Sequence, residues 1–220
     1  MKKLLMIGCV LLLSNMSRAQ KIDLGVKAGL NVAGLSLSND GKLVGVSYNN
    51  RTAYHVGAYA LVKFGKIGIQ PELLFSKQGQ NFTTPYNSNL NSSLTYINIP
   101  LMVKYYFAGG LNLQAGPQFG LLVSAKGDEV ALSNGFVGSA YHDRDLKGYL
   151  KGTDLSFAFG LGLDLPLGTS IGIRYTIGLS DINNKSAGSS QTTAPGFSLA
   201  YTQNQVLQLS VGYKLFRVGK

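Results

Sequence analysis

A regular alternation of apolar residues with small or polar residues recurs along this chain, and it limits the possible folds more than any other feature. Successive side chains of a β-strand point to opposite faces, so a period of two predicts strands with one apolar face. Most of the alternating segments are about 10 residues or longer, the length that a tilted membrane-spanning strand needs. The pattern occurs over residues 22–32, 54–64, 67–76, 96–107, 111–121, 154–165, 171–179 and 207–215.

The connections between these segments alternate between long and short. The short connections are rich in glycine and proline, which favour tight turns, and they comprise residues 65–66, 108–110 and 166–168. The long connections are rich in Asn, Ser, Gly and Thr, and they comprise residues 37–52, 78–93, 125–152 and 181–204. Tight periplasmic turns and long extracellular loops are typical of outer-membrane barrels.

The composition of the two strand faces indicates which face contacts lipid. Only 14% of the residues are charged, against about 25% in soluble domains, and the polar face is mostly Gly, Ser, Gln, Asn and Thr. We therefore expect this face to fill a narrow interior and the apolar face to contact lipid, which only helices or closed barrels can span. Aromatic residues near the expected strand ends fit interfacial girdles: Tyr54, Phe64, Phe75, Tyr105, Phe107, Phe119, Phe157 and Tyr213.

These features together predict an all-β fold, namely an eight-stranded antiparallel up-and-down transmembrane β-barrel. An even number of strands returns the chain to the side on which it started, so both termini are expected in the periplasm. Eight strands leave a lumen that side chains can fill, which argues against a wide pore.

The beginning of the chain has the pattern of a secretory signal peptide. Two lysines precede an apolar run that is too short for a spanning helix, and small residues at positions 17 and 19 suit cleavage after Ala19. We therefore assign residues 1–19 to a signal peptide and residues 20–220 to one barrel domain. A lipid anchor at Cys9 is the alternative, although Cys9 lies within the apolar run and not after it.

The charge of the chain suggests partners in the envelope. Cleavage would leave 17 basic and 10 acidic side chains. These charges are scattered singly and form no basic stripe, so a nucleic-acid partner is not expected. We expect contact with outer-membrane lipids and with lipopolysaccharide phosphates instead.

Four charged residues fall in the middle of predicted strands and on the inward face: Lys27, Glu72, Lys104 and Arg174. Three of them, Lys27, Glu72 and Arg174, lie at similar heights when counted from the turns. A buried carboxylate without a partner is costly, so we expect Glu72 to pair with one or more of the cations. A proton or ion path is the functional alternative.

Several segments resemble PorT-type outer-membrane β-barrel proteins of Gram-negative bacteria. They are residues 25–31, 96–101, 104–106, 116–120 and 212–214. The resemblance implies an eight-stranded barrel in the cell outer membrane, inserted by the barrel assembly machinery, and it carries no catalytic motif. The founding member of the family is linked to protein secretion across that membrane, so the resemblance also allows a role in secretion. Phe216 is followed by four more residues, whereas many such barrels end on an aromatic residue.

The two histidines and the acidic residues near them are candidate site residues. A His, Ser and acidic residue near the outer rim would suggest a lipid-modifying enzyme, and the candidates are His142, in a predicted loop, and His55, near the outer end of the second strand. The run His142-Asp143-Arg144-Asp145 is a candidate cation site. Loop charges are usually only solvated, so we expect no enzyme, no metal and no cofactor.

Three functions follow in order of preference. The first is a structural or interaction barrel whose long loops contact an envelope or extracellular protein. The second is an accessory component of a secretion apparatus, and the third is an outer-membrane lipid hydrolase or acyltransferase.

Overall fold

The computed structural model describes residues 22–37, 47–83, 90–133, 136–184, 192–193 and 202–218. The predicted signal peptide, residues 1–19, and parts of all four predicted long connections lie outside these ranges. Within them, no helix is both long enough and apolar enough to cross a membrane.

The described residues form ten strands and one short 3-10 helix, Lys147–Tyr149. The strands are β1 (Ile22–Leu37), β2 (Ser47–Phe64), β3 (Ile67–Thr83), β4 (Leu90–Ala108), β5 (Leu111–Ser133), β6 (Phe136–Asp145), β7 (Thr153–Asp164), β8 (Thr169–Gly178), β9 (Thr192–Thr193) and β10 (Thr202–Val218).

Eight of these described strands close into a ring in the order β1-β2-β3-β4-β5-β7-β8-β10. Every neighbouring pair is antiparallel, and β10 returns to β1 with Val218 opposite Ile22. The prediction of an eight-stranded up-and-down barrel is therefore confirmed. The two remaining strands, β6 and β9, pair with the C-terminal part of β5 outside this ring.

The predicted short connections are confirmed as tight turns at one end of the barrel, which we call the short-turn end. Residues 65–66 join β2 to β3, residues 109–110 join β4 to β5, and residues 165–168 join β7 to β8. Gly65, Gly109 and Gly168 have φ values of +60°, +51° and +85°. Glycine adopts this left-handed backbone without a steric penalty. The opposite end is called the long-loop end.

The two faces of the strands have the predicted orientation. Leu30 and Leu209 on the apolar face are each 54% exposed, whereas Asn31 and Gln208 next to them are 0% and 1% exposed. All eight aromatic residues assigned to girdles are between 39% and 52% exposed. A belt of exposed apolar side chains around a buried polar interior is the reverse of a soluble barrel and suits a lipid surrounding.

The predicted extent of the long connections is wrong in part. The structure continues β3 to Thr83, starts β4 at Leu90, and fills most of residues 125–152 with the end of β5 and with β6. Strand β2 likewise begins at Ser47, within the predicted first loop. Backbone pairing does not need an apolar face. Where strands extend past the apolar belt, the alternation therefore stops although the hydrogen-bonded ladder continues.

Candidate functional site

Glu72 lies at the centre of a buried network in the barrel interior. Its carboxylate accepts hydrogen bonds from Lys27 Nζ at 2.7 Å and from both terminal nitrogens of Arg174 at 2.8 and 3.0 Å. Gln70 Nε2 donates at 2.7 Å, and Arg174 also donates to Gln114 Oε1 at 2.9 Å. We call Lys27, Glu72 and Arg174 the charge layer.

The charge layer is almost fully withdrawn from water, since Glu72, Arg174 and Lys27 are 3%, 3% and 8% exposed. Burial of an ion is compensated only by good geometry and by additional hydrogen bonds. The paired Arg–carboxylate contact and the two amide side chains supply both. Strands β1, β3 and β8 each contribute one of the charges, so the layer links separate parts of the barrel wall.

Lys104 does not contact Glu72 and belongs to a second network nearer the short-turn end. Its ammonium lies 3.2 Å from Asp164 Oδ1. The hydroxyl of Tyr106 donates to Asp164 Oδ2 at 2.6 Å, and Lys63 Nζ lies 3.6 Å from the same oxygen. The structure thus brings together three of the four mid-strand charges and gives the fourth a different carboxylate.

His55 lies in the middle of the interior, not near the outer rim as predicted. It is 1% exposed, because β2 begins at Ser47 and extends well beyond this residue. Its Nδ1 lies 2.8 Å from Asn31 Oδ1 and its Nε2 lies 3.0 Å from Ser210 Oγ. The ring crosses Gly29 to reach Ser210, and a Cβ on Gly29 would lie 2.6 Å from the ring and closer still to the backbone oxygen of Leu209.

Asn31, His55 and Ser210 are hydrogen-bonded in the order of a hydrolase triad. The space beside them is too small for a substrate. The cavity that Ser210 lines measures about 10 Å3, which is space for about one water molecule. The arrangement therefore acts as a polar filling of the interior.

His142 belongs to β6 and not to a loop, and its side chain is 72% exposed. Its Nδ1 lies 3.0 Å from Asp128 Oδ1, while Asp145 Oδ1 accepts the backbone N–H of Lys147 at 2.9 Å. Asp143 contributes its backbone N–H to Asp128 at 3.3 Å. Within the described ranges no group of three His, Cys, Asp or Glu side chains is spaced to hold a metal ion.

Asp154 is a buried carboxylate that neutral groups stabilise. It accepts hydrogen bonds from Ser180 Oγ at 2.7 Å, Ser156 Oγ at 3.0 Å and Asn204 Nδ2 at 3.1 Å. The same Asn204 amide lies 3.4 Å from the hydroxyl of Tyr96. These contacts tie β7, β10 and the segment after β8 together toward the long-loop end.

Apolar side chains fill the barrel interior between Asp154 and the long-loop end, whereas the sequence predicted a polar lumen. Those that we call the apolar layer are each at most 5% exposed: Leu94, Tyr96, Leu122, Ala125, Leu146, Leu150 and Ile182. Leu146 and Leu150 come from the connection between β6 and β7, and Ile182 follows β8. The apolar layer closes the barrel interior toward the long-loop end.

Exposed amide side chains lie beside one another at the long-loop end. Asn49 is opposite Asn81, and Asn81 is opposite Asn91 across β2, β3 and β4. Directly opposed residues share one face of a sheet. Arg51 donates to Asn91 Oδ1 at 3.3 Å. This row is polar and accessible and offers hydrogen-bonding groups to a partner.

Sequence reasoning missed Asp164, Asp154 and the central position of His55. Asp164 shares the turn-side end of the polar face with Lys104, so comparison of heights across the predicted strands would have suggested their pairing. No sequence signal indicated the partners of His55, because they lie on β1 and β10 and meet only when the ring closes.

Comparison with known proteins finds similar solved structures at low sequence identity. No curated protein matches the chain. Neisserial surface protein A (NspA) is 11% identical with a TM-score of 0.48, and the alignment covers 87% of this chain and 97% of that one. Ail of Yersinia pestis is 11% identical with a TM-score of 0.48, covering 90% and 99%. OprG from Pseudomonas aeruginosa is 12% identical with a TM-score of 0.42, covering 90% and 96%.

A family model described as the outer membrane protein beta-barrel domain matches residues 15–184, which is most of the chain. The match agrees with the closed ring of antiparallel strands and with the exposed apolar belt. The chain therefore belongs to the outer membrane protein beta-barrel domain family and is a β-barrel protein of the outer membrane.

Proposed function

We propose that this protein is a non-conducting interaction barrel, whose long-loop end contacts an envelope or extracellular protein, and that it is not an enzyme. The observation that carries the proposal is the filled interior. The charge layer blocks the middle of the lumen and the apolar layer blocks it toward the long-loop end. A solute would have to displace both to pass through the barrel, so function is left to the two ends and the outer surfaces.

In this proposal Lys27, Glu72 and Arg174 have a structural role, and Lys104 has the same role nearer the turns. Each salt bridge of these four residues joins strands that are not neighbours in the ring, such as β3 with β8 through Glu72 and Arg174. Such cross-lumen contacts hold opposite walls at a constant separation. An ion path would instead need space beside these groups, and the cavity in contact with Lys27 and Arg174 is about 10 Å3.

We place the short-turn end and both termini in the periplasm and the long-loop end outside the cell. Export by residues 1–19 and insertion by the barrel assembly machinery fit this orientation. Outer-membrane lipids surround the exposed apolar belt. Lipopolysaccharide would then adjoin the row of Asn49, Asn81 and Asn91.

Conductance measurements test the filled interior. Purified protein inserted in planar lipid bilayers is expected to give no steady conductance steps, with a known porin as positive control. Large, long-lived steps from a homogeneous, heat-modifiable sample would contradict the proposal.

Orientation and interaction are tested with single cysteines, because the only cysteine, Cys9, lies in the predicted signal peptide. Gly148→Cys is at the long-loop end, where an added Cβ meets nothing within 4 Å, and Lys66→Cys is in an exposed turn at the other end. In intact cells a membrane-impermeant maleimide should label the first variant and not the second. A photo-crosslinker on each cysteine should give a discrete protein adduct only from position 148. Labelling or adducts only from position 66 would contradict the proposal.

A role as an accessory component of protein secretion is the second candidate, and the segments that resemble PorT-type proteins favour it. Deletion of the gene would then reduce the amount of secreted cargo, and the wild-type gene would restore it. Unchanged secretion, together with adducts at position 148, would favour the simple interaction barrel. The lipid-hydrolase alternative predicts altered lipid A acylation that His55→Ala or His142→Ala abolishes.

A further inference from the structure

The short-turn end contains a cavity of about 400 Å3 that we call the vestibule. Binding sites for small molecules commonly have volumes of roughly 300–1,000 Å3. The charged side chains among the described residues that line it are Asp23, Lys63, Lys104, Asp164, Lys214 and Arg217.

Positive charge exceeds negative charge in the vestibule wall. The described lining has four cationic groups and two carboxylates. Asp23 accepts two hydrogen bonds from Arg217, at 2.6 and 3.0 Å, and Asp164 accepts one from Lys104 at 3.2 Å. Each carboxylate is therefore already matched by one cation, and the ammonium groups of Lys63 and Lys214 remain as the excess.

The ammonium groups of Lys63 and Lys214 are positioned to bind an anionic ligand in the vestibule. Their ammonium nitrogens lie 3.6 Å from Asp164 and 3.9 Å from Asp23, which is longer than a hydrogen bond. Lys63 Nζ also lies 4.0 Å from the centre of the Tyr106 ring. Their side chains are 41% and 28% exposed, so each can turn toward the cavity without leaving a buried carboxylate unpaired.

The charge layer behind the vestibule adds to the same field. It combines two cations with one carboxylate, so the groups that face this end of the lumen carry a further positive charge. A recess lined by one excess sign of charge and bounded by low-dielectric walls concentrates its potential and attracts ions of opposite sign.

We propose that the vestibule binds a small, soluble oxyanion with two or more negative charges, carried by phosphate or carboxylate groups. Lys63 and Lys214 supply the two ammonium contacts, and lysine is a common point-charge ligand of phosphate. The ion pairs with Lys104 and Arg217 hold Asp164 and Asp23 in position and keep both carboxylates away from the ligand. This site lies at the opposite end from the surface proposed for protein contact and is independent of it.

Calorimetric titration of the detergent-solubilised, folded barrel at low salt tests the proposal, with pyrophosphate and citrate as the two oxyanions. Saturable one-to-one binding of at least one of them is expected, and the two titrations distinguish phosphate from carboxylate chemistry. Lys63→Gln and Lys214→Gln should each weaken binding about tenfold, since each removes one close unit charge. Added NaCl should weaken it as well.

Lys66→Gln is the matched control, because Lys66 is an exposed lysine at the same end that does not line the vestibule. It should leave the affinity unchanged. Heat-modifiable migration of all three variants shows that they are folded. The proposal is overturned if neither oxyanion binds saturably to the wild-type barrel, or if Lys66→Gln weakens binding as much as Lys63→Gln and Lys214→Gln.

Discussion

The two halves of the barrel interior are filled by different chemistry. Toward the short-turn end, the described residues include three buried or half-buried carboxylates, and each has two cations close by. Glu72 has Lys27 and Arg174, Asp164 has Lys63 and Lys104, and Asp23 has Lys214 and Arg217. Toward the long-loop end, Asp154 is held by hydroxyl and amide donors beneath the apolar layer.

This difference shows two ways to keep the interior of a narrow barrel without a channel. An ion-pair network fills space and joins opposite walls, but it depends on every partner, because a buried charge that loses its partner is costly. An apolar layer fills space through close packing, and its cost on truncation is set by the cavity that remains. The charged half is therefore expected to be the more sensitive to single substitutions.

The largest effect is expected from Glu72→Gln, which removes the only carboxylate of the charge layer and leaves Lys27 and Arg174 buried together. Loss of one partner of a buried pair costs about 3–5 kcal/mol. Urea unfolding of the barrel in lipid vesicles, followed by gel mobility, measures the change. Asp143→Asn, at an exposed carboxylate, is the control. Equal stability of the two variants would show that the charge layer does not brace the barrel.

A smaller effect is expected in the other half from Leu94→Ala. Leu94 is 0% exposed in the apolar layer, and truncation of a buried leucine costs about 3 kcal/mol. Leu113→Ala is the matched control, since Leu113 is 54% exposed on the lipid-facing surface and its truncation leaves no interior cavity. If Leu113→Ala lowers the free energy of unfolding as much as Leu94→Ala, the apolar layer is not a packed core.

The boundary between the halves is tested by Gly29→Ala. The added methyl group would press most closely on the backbone oxygen of Leu209 and then on the His55 ring that crosses Gly29, and overpacking of this kind costs about 1–3 kcal/mol. Gly148→Ala meets nothing within 4 Å and should leave stability unchanged. The double variant Gly29→Ala/His55→Ala keeps the contact with the Leu209 backbone oxygen, so it should not recover the lost stability. Full recovery would show that the His55 ring alone causes the loss.

The smallest effect is expected from Arg217→Gln at the open end of the charged half. The side chain of Arg217 is 47% exposed, and exposed ion pairs contribute little because water and salt screen them. Unfolding in urea should be nearly the same as for the wild type. A loss comparable to that of Glu72→Gln would mean that burial does not set the cost of losing an ion pair in the charged half.

Most of the barrel wall could be predicted from the chain, whereas most of the interior contacts could not. The alternation around Leu30 and Leu209 gave the strands and their lipid-facing side, because it reflects local geometry. The partner of Lys104 is Asp164, which lies 60 residues further along the chain. The apolar layer depended on Leu146 and Ile182, which lie in segments without a periodic pattern.

The amino-acid sequence by itself determined the number and order of the strands in the ring, the orientation of the faces and the tight turns, but not the additional strands β6 and β9. Each of these follows from local rules: side chains alternate, lipid requires a closed hydrogen-bonded wall, and glycine permits left-handed turns. Only the tertiary structure decided which charges pair, how far the strands continue past the apolar belt, and what closes the lumen. Those outcomes depend on register and on contacts across the barrel. They are set when the ring closes and brings residues such as Lys27, Glu72 and Arg174 within hydrogen-bond distance.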